Sequence, residues 1–537
     1  MEIKILSSLA KVFPDEICGD YEIKSLSCFK NERVSFQAAV KSDRDERVSV
    51  KLSCGSEGVS VYLVKNIPSA YAAPPEGERD GYYLKNGRPG EYPDLLVPYS
   101  NGAEVKAREY TAFWFEFDPC GLSEPKHNIE IEITGSERKK ACVEIEILDK
   151  ELPQTLTCVN WFHSDCLAQY YNTEVFSEEY WRIVESFMET AVRHGVNTIL
   201  TPIFTPPLDT EVGGERLTVQ LVDVTKQGKE YIFGFDNLKK WIETAERAGM
   251  KYFEMSHLFT QWGAKHAPKI MAHTDKGFER IFGWETDAAG VEYTDFLRQL
   301  APRLIDCINS LGVHDRCIFH TSDEPSEEDS ITYTNAAKII RELFGEFKIT
   351  DALSDFMYYE NGAVSSPVPC TDKIEEFAFK VPDLWTYYCC VQTKGNRPNR
   401  FFSMPSLRNR ILGFLMYKYN LTGFLHWGYN FYNTQYSKRA VDPFTETDAG
   451  GAFPSGDSFV VYPAPDGTAY ASLRLKVFYE AVEDYEALRL AESIIGRDKT
   501  LELLEEGLDK PLAMGDYPHS EEWLLNKREQ INRAVME

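Results

Sequence analysis

The first 150 residues alternate between apolar and polar positions in short runs. These runs combine β-branched and aromatic residues with polar neighbours, lie between Gly, Asp, Ser and Pro turns, and include VSFQAAV, RVSVKLS, YTAFWFEF, HNIEIEI and CVEIEIL. A period of two over such lengths, with frequent turn signals, predicts an antiparallel β-sandwich. The stretch from Tyr71 to Pro98 is rich in Gly, Pro and charge, and we expect a long loop there. LDKELPQT (Leu148–Thr155) is predicted to be a linker.

After the linker, apolar runs alternate with amphipathic segments. SEEYWRIVESFMETAVRHG is predicted to be a helix with Ser177 as its N-cap and Gly195 at its end, and LTVQLVDV…EYIFGFD is predicted to be a hairpin. A long loop is expected after MKYFEMSHLF. The candidate buried strands are TCVNWFHSD, VNTILTPIF, MKYFEMSHLF, RCIFHTSDEP, FKITDALSD, DLWTYYCC, LTGFLHWGYN and DSFVVYP. Eight strands alternating with helices favour a closed barrel over an open sheet.

The predicted fold class is therefore multidomain. We expect a β-sandwich domain over residues 1–150 and a catalytic (β/α)8 TIM barrel with C-terminal helices over residues 151–537. The helix EAVEDYEALRLAESII would close the ring after DSFVVYP, and the acidic C-terminal segment would form one or two surface helices.

Charge and cysteine content narrow the functional classes. The 537-residue chain carries a formal charge of −26, which repels phosphate backbones and anionic lipid, so neither nucleic acid nor membrane is an expected partner. The N-terminus shows no signal-peptide pattern, and we expect a cytoplasmic protein. The 12 cysteines form no CxxC pair and the ten histidines no HExxH motif. We therefore expect free thiols and no metal or other cofactor.

Two adjacent carboxylates, Asp323 and Glu324, follow the fourth candidate strand and precede Pro325. The C-terminal ends of barrel strands are where barrel enzymes carry their chemistry. Neighbours in a regular strand face opposite ways, so both acids can reach one cavity only where the strand ends or bulges. The alternative is that the pair caps the helix beginning near Ser326.

Aromatic residues in or after neighbouring strands are candidate sugar-stacking groups, and each has the alternative role of a core residue. They are Trp262, Trp385, Tyr387, Trp427 and Tyr429.

An ordinary glycosidase needs two carboxyls on opposite faces of the scissile bond, a spacing that adjacent residues seldom provide. A sugar with a 2-acetamido group can supply its own nucleophile, because its amide oxygen can attack C1 and form an oxazolinium ion. One carboxylate then orients the amide N–H, and its neighbour acts as general acid and base. The GxSxG, P-loop and GxGxxG patterns of other enzyme classes are absent from the sequence.

The chain resembles glycoside hydrolase family 123 across residues 157–490. The resemblance lies in FEMSHLFTQWGAKHAPKI, in the Asp323–Glu324–Pro325 step, and in WTYYCC followed by PNRFF. It continues in NRILGFLMYKYNLTGFLHWGYN and SLRLKVFYEAVEDYEAL. The family contains β-N-acetylgalactosaminidases with a sandwich and a barrel, and their mechanism is substrate-assisted with retention.

The resemblance implies that Asp323 orients the acetamido group and that Glu324 is the general acid and base. It implies, more loosely, sugar contacts from His257, Gln261, Trp262, Tyr387, Asn399 and Trp427. His257 has the alternative role of a core histidine, and Arg400 and Arg410 are either ligands or structural ion-pair partners. Asp457 is expected only to cap a turn, and Glu483 and Asp484 are expected to be structural.

The expected function is that of an exo-acting β-N-acetylgalactosaminidase on a glycan or oligosaccharide bearing terminal β-linked N-acetylhexosamine. A β-N-acetylglucosaminidase of the same mechanism is the nearest alternative, since the two sugars differ only at the C4 hydroxyl. A non-catalytic carbohydrate-binding protein is the alternative from another class. Binding alone does not require an adjacent acid with a raised pKa, which favours an enzyme.

Overall fold

The computed structural model describes residues 1–53 and 57–536. The N-terminal region contains two five-stranded sheets. In spatial order, the first sheet holds Glu2–Ser7, Val34–Lys41, Tyr110–Phe117, Val59–Ser69 and Gly90–Pro98. The second holds Ser25–Phe29, Arg138–Leu148, Lys126–Thr134, Glu46–Leu52 and Ala103–Val105. All pairs are antiparallel except Ser25–Phe29 with Arg138–Leu148, which is parallel, so the sandwich prediction is confirmed with one exception in strand direction.

The strand Tyr110–Phe117 shows how this region meets the barrel. Phe113 and Phe115 point into the core between the two sheets, while Trp114 joins the core shared with the barrel. Alternate residues of a strand face opposite sides, so a strand buried on both faces reads as nearly continuous apolar sequence. The outer face of this sheet is therefore covered by the barrel rather than by solvent.

The predicted loop from Tyr71 to Pro98 is wrong in its last third. Gly90–Pro98 is a strand that pairs antiparallel with Val59–Ser69, with a register shift between Lys65 and Asn66. The charge and proline at the start of GEYPDLLVP mask an otherwise apolar run, and such residues are tolerated here because the strand lies at the edge of its sheet.

Eight parallel strands form the nearly closed barrel of the second region, as predicted. In chain order they are Thr157–Asn160, Thr198–Thr201, Tyr252–Met255, Cys317–Phe319, Lys348–Ala352, Ser366–Val368, Trp385–Tyr387 and Gly423–His426. The first strand pairs with the eighth, and a parallel bridge from Cys370 to Tyr387 joins the sixth and seventh.

The number of strands is right, but one member of the predicted set is wrong. The sixth strand is Ser366–Val368, which sequence analysis placed in a connection. DSFVVYP contributes Val461–Pro463, which pairs antiparallel with Ala469–Ala471 outside the barrel. The seventh and eighth barrel strands are thus the two that were predicted as sixth and seventh. A three-residue strand containing Pro367 carries almost no periodic signal, whereas the buried FVVY run imitates a barrel strand.

Helices alternate with the strands around the barrel. The predicted cap at Ser177 is confirmed, since its side chain accepts a hydrogen bond from the backbone N–H of Tyr180. The helices are Ser164–Tyr171, Glu178–Arg193, Asp236–Ala248, Val291–Ser310, Ser330–Phe344, Met357–Glu360, Ile374–Phe377, Ser406–Arg410, Leu412–Lys418, Leu473–Ile495, Arg497–Glu505 and Glu521–Met536. Single 3-10 turns cover Leu84–Gly87, His314–Arg316, Glu327–Asp329 and Gln435–Ser437.

Two hairpins form a separate four-stranded sheet beside the barrel. Asp223–Gln227 and Glu230–Gly234 are the hairpin expected from the sequence, and Ile270–Thr274 with Gly277–Phe282 replaces the long loop expected after the third strand. A further short pair, Lys11–Val12 with Ile17–Cys18, lies near the N-terminus. Every cysteine that the structure describes is a free thiol. Across residues 1–53 and 57–536, no helix has the length and apolar character needed to cross a membrane.

Candidate active site

The Asp323–Glu324 pair lies in the loop after the fourth barrel strand. Glu324 has a φ of +43°, in the left-handed region that residues other than glycine rarely adopt. Its backbone N–H donates to the carbonyl of Ala352 on the fifth strand at 2.9 Å, and the Asp323 carbonyl accepts from Trp262 N–H at 2.8 Å. The turn breaks strand alternation, and both acids face one cavity.

The capping alternative for these two acids does not fit the geometry. Ser326 and Asp329 pair at the start of the following helical turn, where the Asp329 carboxylate accepts from the Ser326 N–H at 3.1 Å and from its hydroxyl at 2.7 Å. Ser326 and Asp329 therefore cap the N-terminus of this helical turn. Asp323 and Glu324 remain available to the cavity.

The cavity has a volume of about 220 Å³. It holds six of the residues singled out from sequence: Asp323, Glu324, Gln261, Trp262, Tyr387 and Trp427. Its other lining residues are Trp161, Leu208, Asp209, Ala352, Cys389, Cys390, Leu425, Gln435 and Phe453. Aromatic walls with convergent polar groups are the composition expected of a sugar site.

Three aromatic residues form its walls in different ways. Tyr387 ends the seventh strand and donates its hydroxyl to Glu324 Oε1 at 2.5 Å. Trp427 follows the eighth strand and is held by Nε1 donating to Asp457 Oδ2 at 2.9 Å. Trp262, 39% exposed, packs edge-on against Tyr436. The first two are fixed by hydrogen bonds, and the third presents its ring to solvent.

Asp209 is a cavity residue that the sequence analysis missed. Its backbone N–H donates to Gln261 Oε1 at 2.6 Å, and burial raises the pKa of its carboxyl to about 6. Gln261 Nε2 is buried and has no hydrogen-bond partner among the described residues. A buried donor without a partner is costly, and a substrate hydroxyl would satisfy it. The signal available in the sequence was the position of Asp209 in the loop after the second barrel strand.

A buried charged layer supports the cavity from below, and it too was missed. His320 lies between two carboxylates, with Nε2 hydrogen-bonded to Glu254 and Nδ1 3.5 Å from Asp351 Oδ1. Trp161 Nε1 donates to Glu254 at 3.0 Å, and Tyr333 donates to Asp351 at 2.6 Å. The layer crosses the barrel interior, because Glu254 lies on the third strand, Asp351 on the fifth, and His320 directly after the fourth.

This layer fixes the charge on His320. Burial alone would lower the pKa of His320, but Glu254 and Asp351 outweigh it and raise that pKa to about 10. His257 stacks on His320 with ring centroids 4.4 Å apart, and burial holds the pKa of His257 well below its ordinary value. One histidine of the stacked pair is therefore cationic and the other neutral.

The pKa values of both candidate catalytic acids are raised. Burial and the neighbouring Glu324 carboxylate raise the pKa of Asp323 well above its ordinary value, and the positive charge of His320 opposes this shift. Glu324 opens to solvent through the cavity, but protein surrounds its carboxyl, and this desolvation raises the pKa despite the hydrogen bond from Tyr387. Two adjacent carboxyls in such a setting do not ionise together easily. Asp323 and Glu324 are therefore expected to titrate as a coupled pair that holds one proton over a range of pH.

The catalytic-domain model of glycoside hydrolase 123 matches residues 161–491, more than half of the chain. The chain belongs to glycoside hydrolase family 123. A solved family 123 glycoside hydrolase from Clostridium perfringens, studied for glycolipid glycan hydrolysis, has 15% sequence identity to it and a TM-score of 0.75. The alignment covers 100% of this chain and 98% of that enzyme.

Two other solved structures match with lower TM-scores. The Clostridium thermocellum xylanase 10B CBM22-1–GH10 modules are 7% identical, cover 84% of this chain and 88% of their own, and have a TM-score of 0.35. A Bacteroides ovatus GH5 xyloglucanase is also 7% identical, covers 87% and 99%, and has a TM-score of 0.29. No curated protein matches the chain in sequence.

Four of the sugar contacts expected in this family 123 chain lie outside the cavity lining. Trp385 begins the seventh strand, where its ring packs near Gly423 and under Lys348, one layer below Tyr387. Tyr429 points away from the barrel interior, stacks on Phe162, and donates to the Phe187 carbonyl at 2.8 Å. His257 stacks on His320 of the charged layer described above and does not line the cavity.

Asn399 is the fourth of these residues. Its Nδ2 donates to the carbonyls of Cys389 and Gln392 at 2.8 and 3.1 Å, and its Oδ1 accepts from Arg400 N–H. With these bonds made inside its own loop, Asn399 shapes the cavity wall without facing the cavity. The predicted strand ends located these four residues near the cavity, but the sequence did not predict the direction of each side chain.

Asp457 corrects a further expectation. It was expected only to cap a turn, but its carboxylate is completely buried, accepts from Trp427, and lies 3.4 Å from His426 Nε2. Burial raises its pKa to about 7. Arg400 is structural, donating to His426 Nδ1 and the Gly428 carbonyl. Asp457 therefore supports a wall of the cavity through Trp427.

The ion pairs of the long helix Leu473–Ile495 are structural, as expected for Asp484. Its carboxylate accepts from both Arg410 and Arg528, at 2.8 and 2.9 Å, and Arg410 also pairs with Glu480. Arg528 reaches Glu32 in the N-terminal region at 2.7 Å. This network joins the helix Glu521–Met536, which carries Arg528, to the helix Leu473–Ile495 through Asp484 and to the N-terminal region through Glu32. It lies apart from the cavity.

Replacing His320 with glutamine is expected to destabilise the protein by roughly 3–5 kcal/mol, because two buried carboxylates lose the cation between them. The folded-state pKa of His320, about 10, lies above the unfolded value. Its stabilising contribution is therefore complete below about pH 6.5 and is lost as the pH rises towards 10. Urea unfolding of both proteins between pH 6 and 10 measures this difference.

The matched control is His314→Gln, since His314 makes its ion pairs with Asp315 and Glu346 at the surface. We expect that change to leave the free energy of unfolding nearly unchanged at every pH, because solvent screens ion pairs at the surface. Equal losses for the two variants would contradict a charged His320.

Proposed function

We propose that this family 123 enzyme is an exo-acting β-N-acetylgalactosaminidase that works by retaining, substrate-assisted hydrolysis. The observation that carries the proposal is the adjacent acid pair turned into one cavity by the left-handed backbone at Glu324. Adjacent carboxyls cannot easily straddle a glycosidic bond, but they can serve a substrate that brings its own nucleophile. The family relationship supports N-acetylgalactosamine as the sugar.

In the first step, the acetamido oxygen attacks C1 from the face opposite the leaving group. Ionised Asp323 accepts the amide N–H and stabilises the positive charge that grows on the forming oxazolinium ring. Protonated Glu324 gives its proton to the departing glycosidic oxygen. In the second step, Glu324, now a carboxylate, takes a proton from water as the water attacks C1, so the anomeric configuration is retained.

The size of the cavity supports exo action. A volume of about 220 Å³ lies below the range of about 300–1,000 Å³ that is common for sites of drug-sized ligands. One terminal sugar fits such a space better than an internal stretch of glycan. Buried polar groups such as Asp209 and Gln261 provide partners for the sugar hydroxyls, and a site built this way discriminates against the wrong epimer.

The test compares hydrolysis of 4-nitrophenyl β-GalNAc with that of 4-nitrophenyl β-GlcNAc and follows the first-formed anomer by proton NMR. We expect faster release from the GalNAc substrate, with the β-anomer appearing first. Preference for GlcNAc would assign the alternative hexosaminidase activity. No release from either substrate by correctly folded protein would overturn the proposal and favour a carbohydrate-binding protein.

Replacing Tyr387 with phenylalanine is expected to move the basic limb of the kcat/KM profile to higher pH. The tyrosine hydroxyl stabilises the ionised form of Glu324 and so lowers its pKa. Without that donor the acid stays protonated to higher pH. The measurement needs a GalNAc-containing disaccharide, because a sugar leaving group depends on the acid more than 4-nitrophenolate does. Tyr388→Phe, which removes a hydroxyl bonded to Asn409, is the control and should leave that limb in place.

A further inference from the structure

A second cavity adjoins the candidate active site on one side. It has a volume of about 600 Å³ and shares Cys390 with the smaller cavity. One wall comes from the loop after residue 70 of the N-terminal region and includes Tyr71 and Glu78. The other comes from the loop after the seventh barrel strand and includes Val391, Lys394 and Arg397. We call this space the side groove.

Hydrogen bonds hold the two walls of the side groove together. Thr393 donates its hydroxyl to the Glu78 carbonyl at 2.7 Å, and Tyr83 donates to the Thr393 carbonyl at 2.9 Å. Asp80 pairs with the buried Arg408 at 2.8 Å and accepts from Asn396 N–H at 2.8 Å. Since these contacts join the N-terminal region to the barrel loop, the groove is formed before any ligand arrives, which lowers the entropy cost of binding.

The position of Glu324 indicates where the leaving group of the substrate would lie. A general acid must contact the oxygen that joins the terminal sugar to its leaving group, so it stands at the boundary between the two parts of the substrate. Glu324 is hydrogen-bonded to Tyr387, and the chain continues from Tyr387 into Cys389 and Cys390. The side groove begins at Cys390. The groove therefore adjoins the cavity on the side lined by Cys390, which follows Tyr387 in the chain.

The chemistry of the groove suits an uncharged sugar. Arg397 is neutralised by Asp372 and Glu375 at 3.4 and 3.3 Å. Glu78 and Lys394 line the groove with exposed side chains of opposite charge, so one acceptor and one donor are available for hydroxyl groups. Val391 is 63% exposed, and with the Tyr71 ring it offers an apolar surface for the face of a pyranose.

We propose that the side groove is the leaving-group subsite and that it binds a neutral hexose attached to the terminal sugar, with Glu78 and Lys394 as its hydroxyl-binding residues. This inference rests on the proposed function. It assigns to the N-terminal region a direct role in substrate recognition, through Tyr71 and Glu78.

The test compares two substrates in a Glu78→Gln, Lys394→Met double variant. The first is a disaccharide of GalNAc β-linked to galactose, and the second is 4-nitrophenyl β-GalNAc, whose leaving group has no sugar hydroxyls. Loss of two hydroxyl contacts is expected to lower kcat/KM for the disaccharide by about tenfold or more. The same value for the nitrophenyl substrate should stay within about twofold.

Glu76→Gln is the matched control, because Glu76 lies in the same loop but lines a different cavity. It should change neither substrate. A binding measurement adds a second readout: in a Glu324→Gln background, the disaccharide should bind more tightly than free GalNAc, and the double variant should remove that advantage.

Equal changes for both substrates, or no change for either, would overturn the subsite while leaving the glycosidase proposal intact. A disaccharide with a sulfated galactose that is cleaved better than the neutral one would also overturn it, in favour of an anionic leaving group. Failure of the wild type on both GalNAc substrates would remove the proposed function and the subsite together.

Discussion

Replacing Glu324 with alanine is expected to lower kcat on 4-nitrophenyl β-GalNAc by about 10²- to 10⁴-fold, the range for loss of a general acid or base. With this substrate the leaving group needs little help from an acid, so the loss should fall mainly on the second step. There, no carboxylate remains to take a proton from the attacking water. On a disaccharide both steps require Glu324, and the loss should be larger.

Addition of azide distinguishes the role of Glu324 as an acid in the first step from its role as a base in the second. Azide is a nucleophile that needs no base, and the space left by the side chain gives it access to C1 of the oxazolinium ion. We expect azide to restore much of kcat on the nitrophenyl substrate and to give the β-glycosyl azide. The disaccharide should not be rescued, since its leaving oxygen still lacks a proton donor. Product anomers can be followed by proton NMR.

Glu328→Ala is the matched control for this experiment. Glu328 is an exposed acid of the same segment that does not line the cavity, and its removal should leave kcat within about twofold. An α-glycosyl azide, or equal rescue on both substrates, would be inconsistent with the role proposed for Glu324.

The barrel could be predicted from the sequence because most of its strands are apolar runs bounded by turn signals. The prediction failed where a barrel strand lacks such an apolar run. The sixth strand, Ser366–Val368, has three residues, and it is a strand because it pairs with the fifth strand and borders the seventh in the nearly closed barrel. Val461–Pro463 has the stronger local pattern but pairs with a different partner. Pairing between distant segments decided both cases, and local periodicity carries no information about it.

The candidate site was only partly predictable for a related reason. Asp323 and Glu324 were found because two adjacent acids after a buried strand conflict with its apolar pattern. Glu254 and His320 are likewise titratable residues in or next to apolar strands, Glu254 within YFEM and His320 directly after CIF. Their role depends on which strands are neighbours inside the barrel. Tyr429 was misassigned because a residue beyond a strand end no longer follows strand alternation.

Replacing Asp323 with asparagine is expected to reduce kcat/KM on GalNAc substrates by about 10²- to 10³-fold, comparable to the loss of one preorganised group that stabilises transition-state charge. The asparagine carbonyl can still accept the amide N–H, but it cannot stabilise the positive charge of the oxazolinium ion. The charged layer beneath should accentuate the loss, since His320 would then face a neutral group instead of an anion.

Fluorination of the N-acetyl group distinguishes participation of the substrate from attack by an enzyme carboxylate. Each fluorine withdraws electron density from the amide oxygen, so kcat/KM of the wild type should fall steeply from acetamido to trifluoroacetamido substrates. Asp209 is the enzyme carboxylate to compare, because it also lines the cavity. Asp209→Asn should cost about tenfold, as expected for a lost hydroxyl contact to a charged group, and should keep the steep dependence on fluorination. A flat dependence, together with complete loss of activity in Asp209→Asn, would assign the nucleophile to Asp209. A steep dependence, with the larger loss in Asp323→Asn, ties the chemistry to the substrate's own acetamido group and to the carboxylate that orients it.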